Sequence, residues 1–342
     1  MKKYFCDFFA NDIVKARLSG DIEDNKISHA FIFEGAQGSG RHTLAKQLAA
    51  SISCTSREGD RIPCGKCPSC SKIFAEKSPD VINLGVASDK VTIGIECARF
   101  IKDDIHTFPN SLPIKMYIIE DADKMTLQAQ NALLLSLEEP PSYVIFVLIC
   151  QNSAALLETI RSRAPLYRLE KIPPSEISRY LTDNYKKAVE LKRDDPESFA
   201  ELLTVSEGTI GHAIDLLDDK QRKKEFDERQ IAKDFIELSL SRSKSGIFEM
   251  MASLGSKRPE ICERLLLIQR AVRDLILLKK NDEGELIFYS NADNASEISA
   301  KITLERLMDM YSATAQAIED LKANSNVKLT LLSMMYACKL AD

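Results

Sequence analysis

No apolar run in this sequence is long enough to cross a bilayer. The longest, Val144 to Cys150, falls far short of the ~20 residues a spanning helix needs. A secretory leader is lacking too, because MKKYFCDFFANDIVKARL breaks its apolar character with Asp7, Asn11 and Asp12. No internal repeat or low-complexity tract stands out. Positive charge is not in excess: 46 Lys and Arg stand against 51 Asp and Glu, a net −5. That balance argues against general adhesion to nucleic acid, although it could mask a local basic face. No grouping of cysteine with histidine and Asn or Asp suggests a thiol nucleophile. Together these absences lead us to expect a cytosolic protein, where disulfides do not persist.

What is present suits a soluble globular protein of two or three domains: 342 residues, 44% hydrophobic and 28% charged. Residues 1–170 alternate short apolar runs with amphipathic stretches, the pattern of parallel strands linked by helices. Expected strands are Ala30–Glu34, Asp80–Gly85, Met116–Glu120, Tyr143–Cys150 and Leu166–Leu169, apolar enough for a sheet covered on both faces. After KIPPS, Lys171 to Ser175, the character changes. Residues 171–219 read as a small helical domain, with Ser175 as a helix N-cap. DDKQRKKEFDERQ is a charged connector or helix start, and residues 220–342 form a helical C-terminal region. Within it, RPEICERLLLIQRAVRDLILLKK and TLERLMDMYSATAQAIEDLKA carry apolar residues at three- and four-residue spacing. One further strand is possible there, Glu285–Tyr289.

Nine cysteines divide into two groups. Cys6, Cys97, Cys150, Cys262 and Cys338 are scattered among apolar neighbours and are expected to be small core residues. Cys54, Cys64, Cys67 and Cys70 cluster, with Gly59, Pro63, Gly65 and Pro68 supplying turns. Two-residue gaps let neighbouring thiolates converge on one ion. Four thiolates without histidine suit a closed, structural zinc site. An iron–sulfur cluster is the rival, disfavoured because the fourth cysteine lies upstream and no Cys-Pro follows. Nucleic-acid contact by this module is disfavoured, since only Arg57, Arg61, Lys66 and Lys72 lie nearby, with no interleaved aromatic.

GAQGSGRHT, Gly35 to Thr43, has the outline of a phosphate-binding loop between an apolar run and a helix-like segment. Gly35 and Gly40 can supply the backbone cradle. Arg41 stands where a compact lysine belongs, and His42 where a hydroxyl should bind Mg²⁺. Thr43, one residue on, is rotated about 100° away from that position. MYIIEDADKM ends a strand in Glu120 and Asp121, the shape of a metal- and water-positioning strand end, but in the reverse of the usual Asp-Glu order. We read an inherited loop with impaired function.

Three stretches extend the pattern: SHAFIFEG before the loop, NALLLSLEEPPSYVIFVLI from Asn131, and LLETIRSRAPLYRL from Leu156. With the inserted four-cysteine module, they resemble the AAA+ subunits of the bacterial sliding-clamp loader, part of the DNA polymerase III holoenzyme. The resemblance is specific over most of residues 1–215. Further on it rests on length, helical character and NSNVKLTLLSM. It implies an α/β AAA+ domain (1–170, a parallel sheet with flanking helices) carrying a zinc module (54–70). A small helical lid domain (171–219) and an all-α collar domain for oligomerisation (220–342) would follow.

The family's Ser-Arg-Cys motif falls on Ser162, Arg163 and Ala164, which would make Arg163 an arginine finger reaching in trans into a neighbouring motor subunit. The polar sensor at the end of the fourth strand falls on Cys150, followed by Gln151 and Asn152, and the second-sensor arginine on His212 within GTIGHA. Lysine, hydroxyl and both sensors are altered together. The resemblance therefore implies a non-hydrolysing stator acting in DNA replication, with no catalysis of its own beyond membership of a DNA polymerase holoenzyme. Whether ATP still binds at the loop is left open. Implied partners are the motor ATPase subunits and a delta-type subunit, with the sliding clamp and primer-template DNA met through the complex, and no membrane. The competing readings are a clamp-loader-type ATPase that hydrolyses ATP itself and a free-standing zinc-dependent DNA-binding protein, the latter disfavoured by the acidic balance.

Overall fold

A computed structural model describes residues 3–56, 61–86, 92–241, 244–280, 284, 286–289 and 292–338. Arg57 and Gly59 of the cysteine module lie outside them. The chain divides into two compact units, one of residues 1–173 with 209–211 and the other of 174–208 with 212–342.

In chain order the first unit begins with β1 (Lys3–Tyr4), α1 (Asp12–Glu23), β2 (Ala30–Glu34) and α2 (Arg41–Ser53). β3 (Arg61–Ile62), α3 (Pro68–Phe74), β4 (Val81–Leu84), α4 (Ile95–Asp104) and β5 (Lys115–Ile119) follow. After a 3-10 turn, α5 (Leu127–Glu138), β6 (Val144–Cys150), α6 (Glu158–Arg161) and β7 (Leu166–Arg168) complete it. Five of these strands form a parallel sheet in the order β4-β5-β6-β2-β7, so all the central strands end on the same edge. The five expected strands are those of this sheet, each within a residue or so of its expected ends.

Alternation along the strands explains why both faces are covered. Phe31, Phe33, Met116, Ile118, Val147 and Ile149 pack on one side with Leu44 and Leu48 of α2 and with the cysteine module. Ile32, Tyr117, Ile119, Phe146, Leu148 and Cys150 pack on the other with Ile101 of α4 and Leu133 and Leu137 of α5. Two elements were not expected from periodicity: β1 and β3 pair in parallel as a separate ribbon, Lys3 opposite Arg61 and Tyr4 opposite Ile62. Cys6 is exposed rather than a core residue, because in the turn after β1 it is Phe5 and Phe8 that point inward.

The second unit is helical: α7 (Pro174–Asn184), α8 (Lys186–Asp194), α9 (Pro196–Val205), α10 (Ile210–Asp215, its first two residues counted with the first unit), α11 (Asp219–Ser241) and α12 (Lys244–Ser253). α13 (Arg258–Lys279), α14 (Ala292–Lys301), α15 (Leu304–Lys322) and α16 (Val327–Ala337) follow. Leu265, Ile268, Val272 and Leu275 of α13 meet Leu307, Met310 and Ile318 of α15 in its core. Ser175 is not an N-cap, because the helix already begins at Pro174, whose fixed φ suits a first turn. The charged stretch from Asp218 opens α11. No strand forms among the described residues of 285–289. There Asp274, fully buried, accepts the N–H groups of Ile287, Phe288 and Tyr289 and holds them in a bend. No described helix is long and apolar enough to cross a membrane.

Asp80 fixes the entry to β5. Its carboxylate, 1% exposed, accepts the N–H groups of Asn110, Ser111 and Leu112 at 2.6–2.9 Å. Burial opposes its ionisation, but these three donors outweigh it and hold the carboxyl below the ordinary range. Asp80→Ala removes the acceptor of three backbone donors, of which the Leu112 N–H is buried, and is expected to cost about 1–3 kcal/mol at neutral pH by denaturant unfolding. The depressed carboxyl contributes stability above the unfolded pKa near 4, and that contribution is lost as pH falls through the folded value. The gap between wild type and variant should therefore close in acid. A gap that is constant from pH 7 to pH 3 contradicts the assignment.

Candidate functional site

The carboxyl ends of the parallel strands carry the sequence-expected loop, as ligand crevices in such sheets do. β2 ends at Glu34, the chain turns through Gly35 to Gly40, and α2 starts at Arg41. The glycines are there for backbone reasons. Gly38 and Gly40 have φ of 80° and 90°, where a side chain is strained. A Cβ on Gly40 would come 3.0 Å from the Phe8 ring, and one on Gly35 2.7 Å from Ser39 Oγ. Gly211, counted with the same unit, donates its N–H to the Gly38 carbonyl at 2.9 Å, and a Cβ there would strike the Gly38 backbone. Phe8 and Gly211 thus hold the loop from outside it; neither was singled out from the sequence.

Arg41 is buried among Cys150, Asp121, Asp123 and Glu120. Burial lowers its pKa and those acidic neighbours pull it back up. Its Nη1 and the nearby Ser39 Oγ are buried without a hydrogen-bond partner among the described residues. His42, in the Mg²⁺-hydroxyl position, turns instead to the neighbouring strands: its Nε2 lies 3.3 Å from Glu120 Oε1 and 3.4 Å from Asn83 Oδ1. Thr43 is exposed. Asp121 adopts φ 50° and pairs with Lys124 at 2.9 Å.

Cys150 ends β6 opposite Glu34, fully buried, and its carbonyl accepts the Gly35 N–H. Burial, then the charges of Asp123 and Glu34, push its thiol up to about 12, so it stays neutral and offers only a weak donor. Glu34 itself is engaged, accepting the Ser153 N–H at 2.9 Å and Arg168 Nε at 2.9 Å; burial opposes its ionisation, and these partners hold it ionised. The strand ends therefore gather Gly35, Gly40, Arg41, His42, Glu120, Asp121 and Cys150. His212 lies in α10, in the second unit.

Arg163 stands apart from this constellation. It follows α6, is 36% exposed, and bonds Glu138 Oε1 and the Thr159 carbonyl at 2.9 Å each. Ala164, beside it, is buried in the sheet's core.

At the other end of α2 lies the cysteine module. Cys54 is the C-cap of α2, Cys67 the N-cap of α3, and the four sulfurs of Cys54, Cys64, Cys67 and Cys70 lie within 4.8 Å of one another. A tetrahedral zinc with Zn–S near 2.3 Å needs sulfurs about 3.8 Å apart, so the donor set fits such an ion. Backbone N–H groups already serve thiolate charge: Cys67 N–H points to Cys64 Sγ at 3.3 Å and Cys70 N–H to Cys67 Sγ at 3.5 Å. Bonds from Lys66 and Cys67 lower Cys64. Burial opposes ionisation of Cys67, yet N–H groups of Cys70 and Thr55 bring it to about 5. Burial raises Cys54 and Cys70. Of the nearby cations, Arg61 pairs with Asp7.

The family model described as DNA polymerase III, delta subunit matches residues 10–173. The chain is 28% identical to the DNA polymerase III subunit delta' of Bacillus subtilis over 321 residues, 91% of each chain. It is 28% identical over 216 residues to subunit tau/gamma of Haemophilus influenzae and 29% identical over 216 residues to subunit tau of B. subtilis. Those alignments cover 63% of this chain but only 30% and 37% of the relatives, so it spans about a third of their length. A gamma-subunit-related protein of Thermotoga maritima superposes over 94% of the chain with 18% identity and a TM-score of 0.46.

The metal assignment has a direct consequence. Native mass spectrometry of the purified chain should show one zinc, lost on acidification as the thiolates protonate. Cys70→Ser should abolish it and lower the unfolding midpoint. A metal-free wild-type chain with an unchanged midpoint in chelator contradicts the assignment.

Proposed function

The chain belongs to the clamp-loader family of DNA polymerase III subunits, and on that premise we propose that it is a delta-prime-type stator that hydrolyses no ATP itself. In this reading it works in the cytoplasm during DNA replication, beside motor ATPase subunits and a delta-type subunit. The sliding clamp and primer-template DNA are met through the assembled loader. Residues 1–170 act as the AAA+ module, 171–219 as its lid and 220–342 as the collar that joins the ring. Zinc held by Cys54, Cys64, Cys67 and Cys70 is structural, since a fourth thiolate leaves no position for water.

The observation that carries the reading is His42 against Glu120 at 3.3 Å. A phosphate-loop enzyme places Mg²⁺ between its loop hydroxyl and an acidic strand end. Here an imidazole, a poor ligand for a hard cation, takes the hydroxyl's place and meets the carboxylate directly. The neutral thiol of Cys150 at the sensor position supports the same conclusion. Arg163, half-buried and bonded to Glu138 and the Thr159 carbonyl rather than to this chain's own loop, is suited to act on a neighbour's phosphates.

A second reading, in which the chain itself binds and hydrolyses ATP, draws support from the glycine cradle and from the unpartnered Ser39 Oγ and Arg41 Nη1. The two readings differ on turnover of Mg·ATP by the isolated chain, and the finger assignment has a test of its own. In a loader reassembled with its motor subunits, Arg163→Ala should slow single-turnover hydrolysis at the site it serves by about 10³-fold while leaving assembly intact. Unchanged turnover in a fully assembled complex contradicts the finger assignment.

A further inference from the structure

Arg163 is not a loose surface side chain. Its Nη2 meets Glu138 Oε1 and its Nη1 meets the Thr159 carbonyl, each at 2.9 Å. A guanidinium has five N–H donors in a planar fork. These two bonds leave three with no partner among the described residues. A free arginine side chain loses rotamer freedom when it is fixed, so a group already held loses less on engaging a phosphate.

Glu138 is itself well placed to hold it. It is the last residue of α5, whose Leu133 and Leu137 are anchored fully buried in the sheet's core. The spacing between α5 and the segment leading into α6 is set by Gln130, 4% exposed. Its amide donates to the carbonyls of Met125 and Ala155 and accepts the Leu157 N–H at 2.8 Å. On the far side of Arg163, buried Ala164 pins the backbone into the same core. Two anchored backbones thus converge on one exposed ion pair.

We propose that Glu138 is a positioning residue for Arg163: its carboxylate and the Thr159 carbonyl fix the guanidinium plane so that the remaining N–H edge meets the phosphates of a neighbouring subunit. The inference rests on the finger reading of Arg163. Glu138 touches no nucleotide and acts only through the arginine. Its charge is not what the role requires; a well-placed acceptor oxygen is.

The test uses the assembled loader with its motor subunits, comparing Glu138→Ala, Glu138→Gln, Arg163→Ala and the Glu138→Ala/Arg163→Ala double variant. Misplacing a catalytic group by about 1 Å can cost as much as 10²-fold. Glu138→Ala should therefore lower kcat for ATP by about 10- to 100-fold with KM unchanged and the unfolding midpoint preserved. Glu138→Gln keeps an acceptor and should recover most of the rate. In the Arg163→Ala background, Glu138→Ala should add nothing. Positioning is overturned if Glu138→Ala leaves kcat unchanged, raises it, or lowers it equally with Arg163 absent. If Arg163→Ala alone is without effect, the finger reading fails, and the inference with it.

Discussion

His42 and Glu120 face each other where β2 runs into α2 and β5 ends, 3.3 Å apart. In a phosphate-loop enzyme a divalent cation sits between these two points and bridges the phosphates to the protein. Here the space between loop and strand end is spanned by a side chain. The surrounding groups are arranged consistently with that. Arg41 is drawn into the acidic cluster of Asp121, Asp123 and Glu120, Asp121 turns to Lys124, and Glu34 is committed to Ser153 and Arg168. His42, Asp121 and Glu34 are thus engaged with protein partners, while Arg41 Nη1 and Ser39 Oγ have none among the described residues. The turn itself is fixed by glycines that positive φ and the close approach of Phe8 and Gly211 require.

Helix α2 links this turn to the cysteine module. Its first residue is Arg41 and its C-cap is Cys54, so one helix runs from the loop to the four-cysteine cluster. The N-terminal segment reinforces the link from outside: β1 pairs with β3 of the module, Asp7 pairs with Arg61, and Phe8 lies over Gly40. A closed thiolate site suits such a position, because it contributes rigidity without reactivity. The module braces the helix that the loop opens into.

Much of this was legible in the amino-acid sequence. Strands buried on both faces announce themselves as unbroken apolar runs, and Cys64, Cys67 and Cys70 announce convergence by spacing. The limits were physical. β1 and β3 are two residues each, too short for any period, and they pair across more than fifty residues. Cys6 looked like its apolar neighbours, yet which of Phe5, Cys6 and Phe8 turns inward depends on that pairing. The bend at Ile287 to Tyr289 is set by Asp274, a carboxylate on a distant helical turn. At the site, Arg41 and His42 could be seen to depart from the lysine and hydroxyl of a phosphate loop. That His42 reaches Glu120, and that Glu138 holds Arg163, are contacts between elements far apart in the chain, beyond any local pattern.

The central claim is that this chain performs no nucleotide chemistry of its own, its loop being preserved for the fold. The isolated chain, mixed with Mg·ATP, tests it most directly, with binding followed by calorimetry and phosphate release followed in the same sample. The account predicts no turnover above the buffer rate. Micromolar affinity accompanied by sustained phosphate release would contradict it.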